Sequence, residues 1–251
     1  MNYIPIDEFE KTGLVRTFST TVDKYGWRNT PERDAECYRR VAQHFGLGQN
    51  QLVGFNLAHT SKVCAVDEKN GGEGVFFPSD KGDYDGIITD KKGLMLTTVS
   101  ADCVPVFLLD PVKKAIGMIH SGWRGTAGGI SAGAVMLMRE TYGSDPSDIM
   151  AAFGPCICKE CYEVSDSLKS EFLSGFSKAE TDSFFKPSRP GHSLLDLTGA
   201  ARSSLIRAGV RPENIIGQKH CTFHEDLFYS WRRQQKTGGE KNDFLSGIML
   251  V

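Results

Sequence analysis

The sequence predicts a mixed α/β (α+β) fold. Short apolar runs of strand length, such as VPVFLLD (104–110) and AIGMIH (115–120), lie near stretches with helical patterning, such as residues 31–47. The two kinds are interleaved without the strict strand–helix alternation of a doubly wound parallel sheet. The 251 residues contain no internal repeat, low-complexity tract or long linker. One domain over 1–251 is therefore expected, and a chain of that length can bury a large core without staples.

Each element follows from local signals. PERDAECYRRVAQHFGL (31–47) reads as a helix: Pro31 suits a first turn, acids come early, and Val41, Phe45 and Leu47 can face a core. YDGIIT (84–89) and LMLTTV (94–99) are apolar runs around the turn signal DKKG, which predicts a β-hairpin. VPVFLLD and AIGMIH, joined by an exposed PVKK turn, predict two more strands. In SGWRGTAGGISAGAVMLMRETYG (121–143), early glycines give way to Ile130, Val135, Leu137 and Met138; a loop is expected, then a helix over 126–142 ending at Gly143. A buried strand is expected over 148–157, and helices over 165–176 and 196–208, the second capped by Asp196 or Thr198. Strands are expected at 214–217 and 226–232, then a polar loop (QQKTGGEKND) and a final strand in FLSGIMLV.

Composition narrows the function. Hydrophobic residues make up 40%, charged residues 24%, and the formal net charge is −2, so no basic stripe points to nucleic acid. No apolar run approaches the roughly 18 residues of a membrane span, and the N-terminal MNYIPIDEFEKTG does not read as a signal peptide. A cytoplasmic protein with neither nucleic-acid nor membrane partners is expected; the oligomeric state is not legible. Seven cysteines at irregular spacing argue against a disulfide framework and for reduced thiols, most of them core residues.

The chemistry centres on Cys103 and His120. Cys103 precedes one apolar run and His120 ends the next, so an antiparallel pairing around PVKK would bring thiol and imidazole to one sheet edge. A thiolate and an imidazole can both bind zinc, and a third ligand with an open position would make a catalytic site. Alternatively, His120 can activate Cys103 as a nucleophile, or the two can serve unrelated structural roles. Among the six histidines, His59 in FNLAHTSKV is the best third ligand. His44 and His192 read as packing and loop residues. His220, His224 and Cys221 in KHCTFHED are a weaker metal candidate, because two histidines four apart are a zinc signature mainly on a helix. CICKEC holds only one CxxC pair, Cys158 and Cys161, short of the four ligands of a structural zinc, so ordinary thiols are expected there.

Two further stretches are candidates for binding. Gly122, Gly125 and Gly128 expose amides before a helix, and Arg124 adds a fixed positive charge, so an anion can sit beside His120. DLFYSWRRQQKTGG gathers Tyr229, Trp231, Arg232 and Arg233, where strand alternation would set Tyr229 and Trp231 on one face and Arg232 on the other. That block can stack a base and bind an anion, or be a core strand with a basic end. Asp102 is the carboxyl nearest in sequence to Cys103, and an acid/base role and a capping role are both open to it.

SADCVPVFLLDP followed by AIGMIHSGWRG resembles the motif pair of the purine nucleoside phosphorylase family of YfiH-like, or laccase-domain, proteins. DYDGIITDKKGLMLTTVSADC, GPCICKECYEV and CTFHEDLFYSWRRQQKTGG resemble further segments of it, so the likeness spans roughly residues 15–250. It implies a mixed β-sandwich core flanked by helices. It also implies a zinc ion held by His59, Cys103 and His120, with Leu57 standing where the family has Gln and TGG where it has Thr-Gly-Arg. The implied activities are phosphorolysis of adenosine, inosine, guanosine and methylthioadenosine, and adenosine deamination; copper-dependent polyphenol oxidation and peptidoglycan-precursor editing are also associated with the family. The implied partners are purine nucleosides and phosphate. A multicopper oxidase needs around ten histidines by copper's ligand preferences, and six cannot supply them, although one copper can occupy the zinc site. A metal-free Cys103–His120 hydrolase and a zinc module closed by Cys221 or His220 are the rival readings.

Overall fold

The computed structural model describes residues 1–22, 27–28, 31–79, 82–238 and 242–251. Along the chain the strands are β1 (Tyr3–Ile4), β2 (Val15–Thr20), β3 (Trp27–Arg28), β4 (Leu52–Val53), β5 (Val63–Ala65), β6 (Gly86–Thr89), β7 (Met95–Ser100) and β8 (Val104–Asp110). They continue as β9 (Ala115–Ser121), β10 (Met150–Phe153), β11 (Glu163–Ser165), β12 (Phe185–Pro187), β13 (His192–Leu195), β14 (Ile215–Ile216) and β15 (Asn242–Leu250). The helices are α1 (Asp7–Glu10), α2 (Pro31–Phe45), α3 (Trp123–Ala127), α4 (Ile130–Tyr142), α5 (Lys169–Phe172), α6 (Lys178–Phe184), α7 (Leu197–Arg207) and α8 (Trp231–Thr237).

Two large mixed sheets face each other. One runs β1-β2-β15-β7-β4, with β3 on the end of β15, and the other runs β14-β10-β8-β9-β6-β5. Between them lies a core of Phe9, Val53, Leu96 and Ile248 against Ile87, Phe107, Leu109, Ile116 and Met118. The outer face of the second sheet packs Val104, Val106, Leu108 and Ile119 against Ile130, Val135 and Met138 of α4 and Ala201 and Leu205 of α7. On the outer face of the first sheet, Phe18, Leu52, Met95 and Leu245 pack against Tyr38, Val41 and Ala42 of α2. The order is helix, sheet, sheet, helix: the expected sandwich with helical flanks. A small third sheet, β11-β13-β12, lies apart from these two.

Burial on both faces explains why VPVFLLD reads as a continuous apolar run: Val104, Val106 and Leu108 face the helices while Phe107 and Leu109 face the other sheet. The β8–β9 hairpin forms as expected, with Pro105 opposite His120 and Val104 opposite Ser121. Gly143 ends α4 in a left-handed C-cap at φ 70°, as expected.

Five expectations are corrected. The runs 84–89 and 94–99 hold strands β6 and β7, but these are not a hairpin: β6 pairs with β5 and β9, β7 with β15 and β4, so Asp90–Gly93 carries the chain from one sheet to the other. Turn chemistry fixed the reversal, and burial of each run on a different sheet overrode local pairing. The helix expected over 126–142 is two helices, broken at Gly129, whose φ of 74° an L side chain rarely adopts. The strand expected at 226–232 is absent: the chain turns, then forms α8, because the Ser230 hydroxyl accepts from the Arg233 amide and WRRQQKT is rich in good helix formers. The 165–176 helix is shorter than expected, a 3-10 turn at Asp166–Leu168 leading into α5, and His192 opens β13 and does not lie in a loop.

Candidate metal centre

The hairpin register builds the first half of the site. Cys103 stands one residue before β8, next to the pair Val104–Ser121, and His120 lies within β9, so both come to one end of the sheet. The turn before Cys103 needs Asp102 at φ 87°, and the Ser100 hydroxyl donates to the Cys103 carbonyl at 2.6 Å.

His59 arrives from an irregular segment, and Asp85 brings it there. One oxygen of the buried Asp85 carboxylate accepts from the His59 amide (3.0 Å), and the other from the Thr60 amide (2.7 Å) and hydroxyl (2.8 Å) and the Ala58 amide (3.3 Å). These bonds hold His59 at φ 57°, a left-handed conformation that costs an L residue about 1–2 kcal/mol. The same carboxylate accepts from His120 Nδ1 at 2.9 Å. Nδ1 is thereby occupied, and His120 Nε2 is left for another partner. Asp85 thus orients both histidines, as carboxylates behind metal-bound imidazoles do. It lies in the DYDG stretch but was not singled out from the sequence; its five acceptor contacts come from two segments, 58–60 and His120, that only the fold brings to it.

Together the donor atoms of His59, Cys103 and His120 lie within 4.8 Å of one another. His59 Nε2 is 3.8 Å from Cys103 Sγ, and the two imidazoles meet edge to face at 4.9 Å between centroids. The cradle depends on Gly122. A Cβ there would lie 2.8 Å from His59 Cδ2 and 3.1 Å from Cys103 Sγ, filling the space between two donors. Gly125 likewise faces the Thr60 carbonyl, 2.8 Å from where its Cβ would be. Two imidazoles and a thiol suit zinc or another borderline-soft ion, and three protein ligands leave one position for substrate. Neither His220 nor Cys221 closes this set.

The electrostatics match. Burial pushes the Cys103 thiol up, but the His120 charge and hydrogen bonds from His120 and His59 outweigh it, so the thiol is held below its ordinary range. Burial pushes His120 down, and the Cys103 thiolate and Asp85 outweigh that, so the imidazole is held well above its ordinary range. Burial also opposes the charge on Asp85, and bonds from His120 and Thr60 hold its carboxyl down to about 2. Thiolate, imidazolium and carboxylate are mutually stabilised, and a bound cation would take the place of the imidazolium proton.

The other candidates separate into two groups. Asp102 is buried, and its carboxylate accepts from the Thr222 hydroxyl (2.5 Å) and the Arg232 amide (2.7 Å), tying the Cys103 turn to the C-terminal block. Arg232 donates from Nη1 to the Glu163 carbonyl at 2.7 Å and lies over the Tyr162 ring at 5.4 Å. Arg124 is exposed on α3, and both it and Arg232 act electrostatically on the Tyr162 phenol, as do Cys103 and Asp102. Tyr162, also missed in the sequence, therefore neighbours the centre. A cleft of about 940 Å³ opens onto His59, Cys103 and His120 and is walled by Phe55, Phe77 and Trp231, with Asn56 and Asp83 joined at 2.9 Å on its rim. Trp231 lines this cleft, while Tyr229, Arg124 and Arg232 are not among its described lining residues.

A second set of donors lies elsewhere. Cys158, Cys161, Cys221 and His224 also place their ligand atoms within 4.8 Å of one another, which suggests a Cys3His metal site. CICKEC supplies two of these donors and KHCTFHED the other two, a pairing that neither stretch shows on its own.

The chain is similar to several known proteins. The model of the family described as "Multi-copper polyphenol oxidoreductase laccase" matches residues 19–248. "Purine nucleoside phosphorylase YlmD" of Geobacillus stearothermophilus is 34% identical over 82% of this chain and 76% of its own. "Adenosine deaminase RL5" of an unknown prokaryotic organism is 32% identical over 77% and 74%. The crystal structure of Bacillus licheniformis hypothetical protein YfiH superposes with a TM-score of 0.89 at 27% identity, covering 100% of this chain and 97% of that one.

Proposed function

The chain belongs to the multi-copper polyphenol oxidoreductase laccase family, and on that premise we propose that it is a zinc-dependent purine nucleoside phosphorylase. Its substrates are adenosine, inosine, guanosine or methylthioadenosine together with phosphate, and adenosine deamination is a second reaction of the same site. One observation carries the reading: three metal-type donors, two of them ordered by one buried carboxylate, open onto an aromatic-walled cleft of nucleoside size. The names of the relatives support it.

In phosphorolysis a phosphate oxygen bonds to C1′ of the ribose as the bond from C1′ to the base breaks. The base leaves with the electron pair and takes up a proton, giving free purine and ribose 1-phosphate. His59, Cys103 and His120 would hold the zinc, which would supply Lewis acidity at the cleft wall. Phe77 and Trp231 offer faces for the purine, and Asn56 and Asp83 offer polar groups to the sugar. Arg124, exposed on α3, and Arg232, seated over the Tyr162 ring, are the cations assigned to the phosphate in this proposal. Gly122 and Gly125 admit the His59–Thr60 segment against α3. Asp102 has both oxygens engaged, so it positions Cys103 and does not move the proton. Tyr229 lies two residues before α8.

Copper in the family's name does not require a multicopper centre here. His44 packs on Tyr3, His192 on the Pro190 carbonyl and His220 on Glu225, while His224 joins three cysteines. No set of histidines among the described residues would build a trinuclear cluster. A second reading has one specific support: Asp85, His120 and Cys103 form a carboxylate–imidazole–thiol chain, the arrangement of a thiol hydrolase. That enzyme would ignore chelators and die on alkylation.

Adenosine incubated with and without phosphate, with products separated by chromatography, tests the proposal. Adenine and ribose 1-phosphate formed only with phosphate are expected. Inosine in both tubes without adenine would make the protein a deaminase alone, and neither product from zinc-loaded protein would overturn the reading.

A further inference from the structure

We propose that Cys158, Cys161, Cys221 and His224 form a second, closed metal site, a tetrahedral zinc clamp that fixes the loop carrying Cys103 from behind. The inference stands apart from the nucleoside reading, since it concerns different residues and a structural role.

The spacing is that of two zinc half-sites. Cys158 and Cys161 make C-x2-C, and Cys221 and His224 make C-x2-H. Each pair spans a compact turn. The Cys161 amide donates to the Cys158 carbonyl at 3.0 Å, and the Glu225 amide to the Cys221 carbonyl at 3.0 Å. The second turn is further pinned by Glu225, whose carboxylate accepts from the Cys221 amide (2.9 Å) and His220 Nδ1 (2.8 Å). Each half alone falls short of a site. Together they supply three sulfurs and one imidazole, a standard structural zinc set with no open position.

The geometry needs little change to close. Cys161 Sγ and His224 Nε2 are already 3.0 Å apart although 63 positions separate them in sequence. The Cys158 amide points at Cys221 Sγ from 3.4 Å, the kind of N–H that stabilises a thiolate. Bonds of about 2.0–2.3 Å to a central ion put tetrahedral donors about 3.5–3.8 Å apart, so donors within 4.8 Å are a short side-chain rotation from that arrangement. The backbones are already joined: the Cys156 amide donates to the His220 carbonyl (3.4 Å) and the Thr222 amide to the Cys156 carbonyl (3.1 Å).

The clamp has a purpose in the fold. Thr222 lies between two of the ligands, and its hydroxyl donates to Asp102, whose φ of 87° turns the chain into Cys103. The Ile157 amide donates to the Asp102 carbonyl at 3.1 Å. An ion joining the 158–161 and 221–224 turns would therefore hold two of the three contacts described for Asp102, the third being the Arg232 amide.

Metal content per chain tests this, with the first centre dismantled. The double variant His59→Ala/Cys103→Ser should retain one zinc per folded chain, and X-ray absorption should show it bound by three sulfurs and one nitrogen. The double variant Cys158→Ser/Cys161→Ser should hold one zinc fewer than wild type. If that variant fails to fold, absorption on wild-type protein still decides: a three-sulfur and a one-sulfur site should average about two sulfurs per zinc, whereas the first centre alone gives about one. A folded His59→Ala/Cys103→Ser protein without zinc, a shell of nitrogen and oxygen only, or a Cys158–Cys161 disulfide found by mass spectrometry would each overturn the clamp.

Discussion

Asp85 is the residue on which the first centre turns. It holds His120 by Nδ1 and the His59 backbone by its amide, so it presets two of three ligands before any ion arrives. Asp85→Asn keeps the shape but loses the charge and part of the acceptor capacity. The expected result is about a 10–100-fold loss of zinc affinity, measured by competition with a chromogenic chelator; unchanged affinity would show that the histidines are ordered without it. Cys103 carries the second residue-scale prediction. Its thiol is held below the ordinary range, so in metal-free protein the thiolate persists at lower pH than in a free cysteine. Alkylation of Cys103, followed by peptide mass spectrometry, should already be at its plateau at pH 8, where an ordinary thiol of pKa about 8.5 is still gaining reactivity. Zinc should protect it. A profile that follows free cysteine would contradict the thiolate–imidazolium pairing. At this scale the sequence was legible where chemistry and motif coincide, at Cys103, His120 and His59. It was silent at Asp85 and Tyr162, because a carboxylate serving another segment's backbone, or a phenol beside two distant arginines, leaves no local mark.

At the level of elements, the site hangs on the approach of three backbone pieces: the β8–β9 hairpin, α3 and the 58–60 segment. Gly122 sets the closeness of that approach, since a methyl there would sit against both His59 and Cys103. Gly122→Ala should leave the metal-free protein folded, with a melting temperature changed by only a few degrees, yet lower activity by roughly 100-fold, the scale of a displacement near 1 Å at a reacting centre. Full activity in that variant would mean the cradle is looser than described. The hairpin itself was readable, because two apolar runs flanked a short polar turn and both faces were buried. The apparent hairpin at 84–99 carried similar signals and failed, because Asp90–Gly93 joins two sheets; nothing in those residues says which partner each strand will find. The helix α8 was misread for a related reason. Alternation in FYSWRR resembled a strand, while the Ser230 cap and the contact from Arg232 to Asp102 are what the chain obeys.

In the whole molecule, the second sheet places Cys103 and His120 at one end of its β8–β9 hairpin, the irregular 58–60 segment brings His59 to them, and the C-terminal block holds the Cys103 turn through Asp102. Class and layering were legible because apolar runs buried on both faces differ from amphipathic helices. The pairing of distant segments was not, and the Cys3His cluster is the clearest instance: two unremarkable half-motifs become one donor set only when the sheets close. The same long-range assembly makes metal and activity separable by experiment. The most direct measurement is phosphate-dependent release of adenine from adenosine by one preparation, taken before chelation, after chelation and after zinc is returned. The predicted result is a fall of roughly two orders of magnitude or more on chelation and recovery in step with zinc uptake. Undiminished phosphorolysis by folded, metal-free protein would contradict a zinc centre at His59, Cys103 and His120.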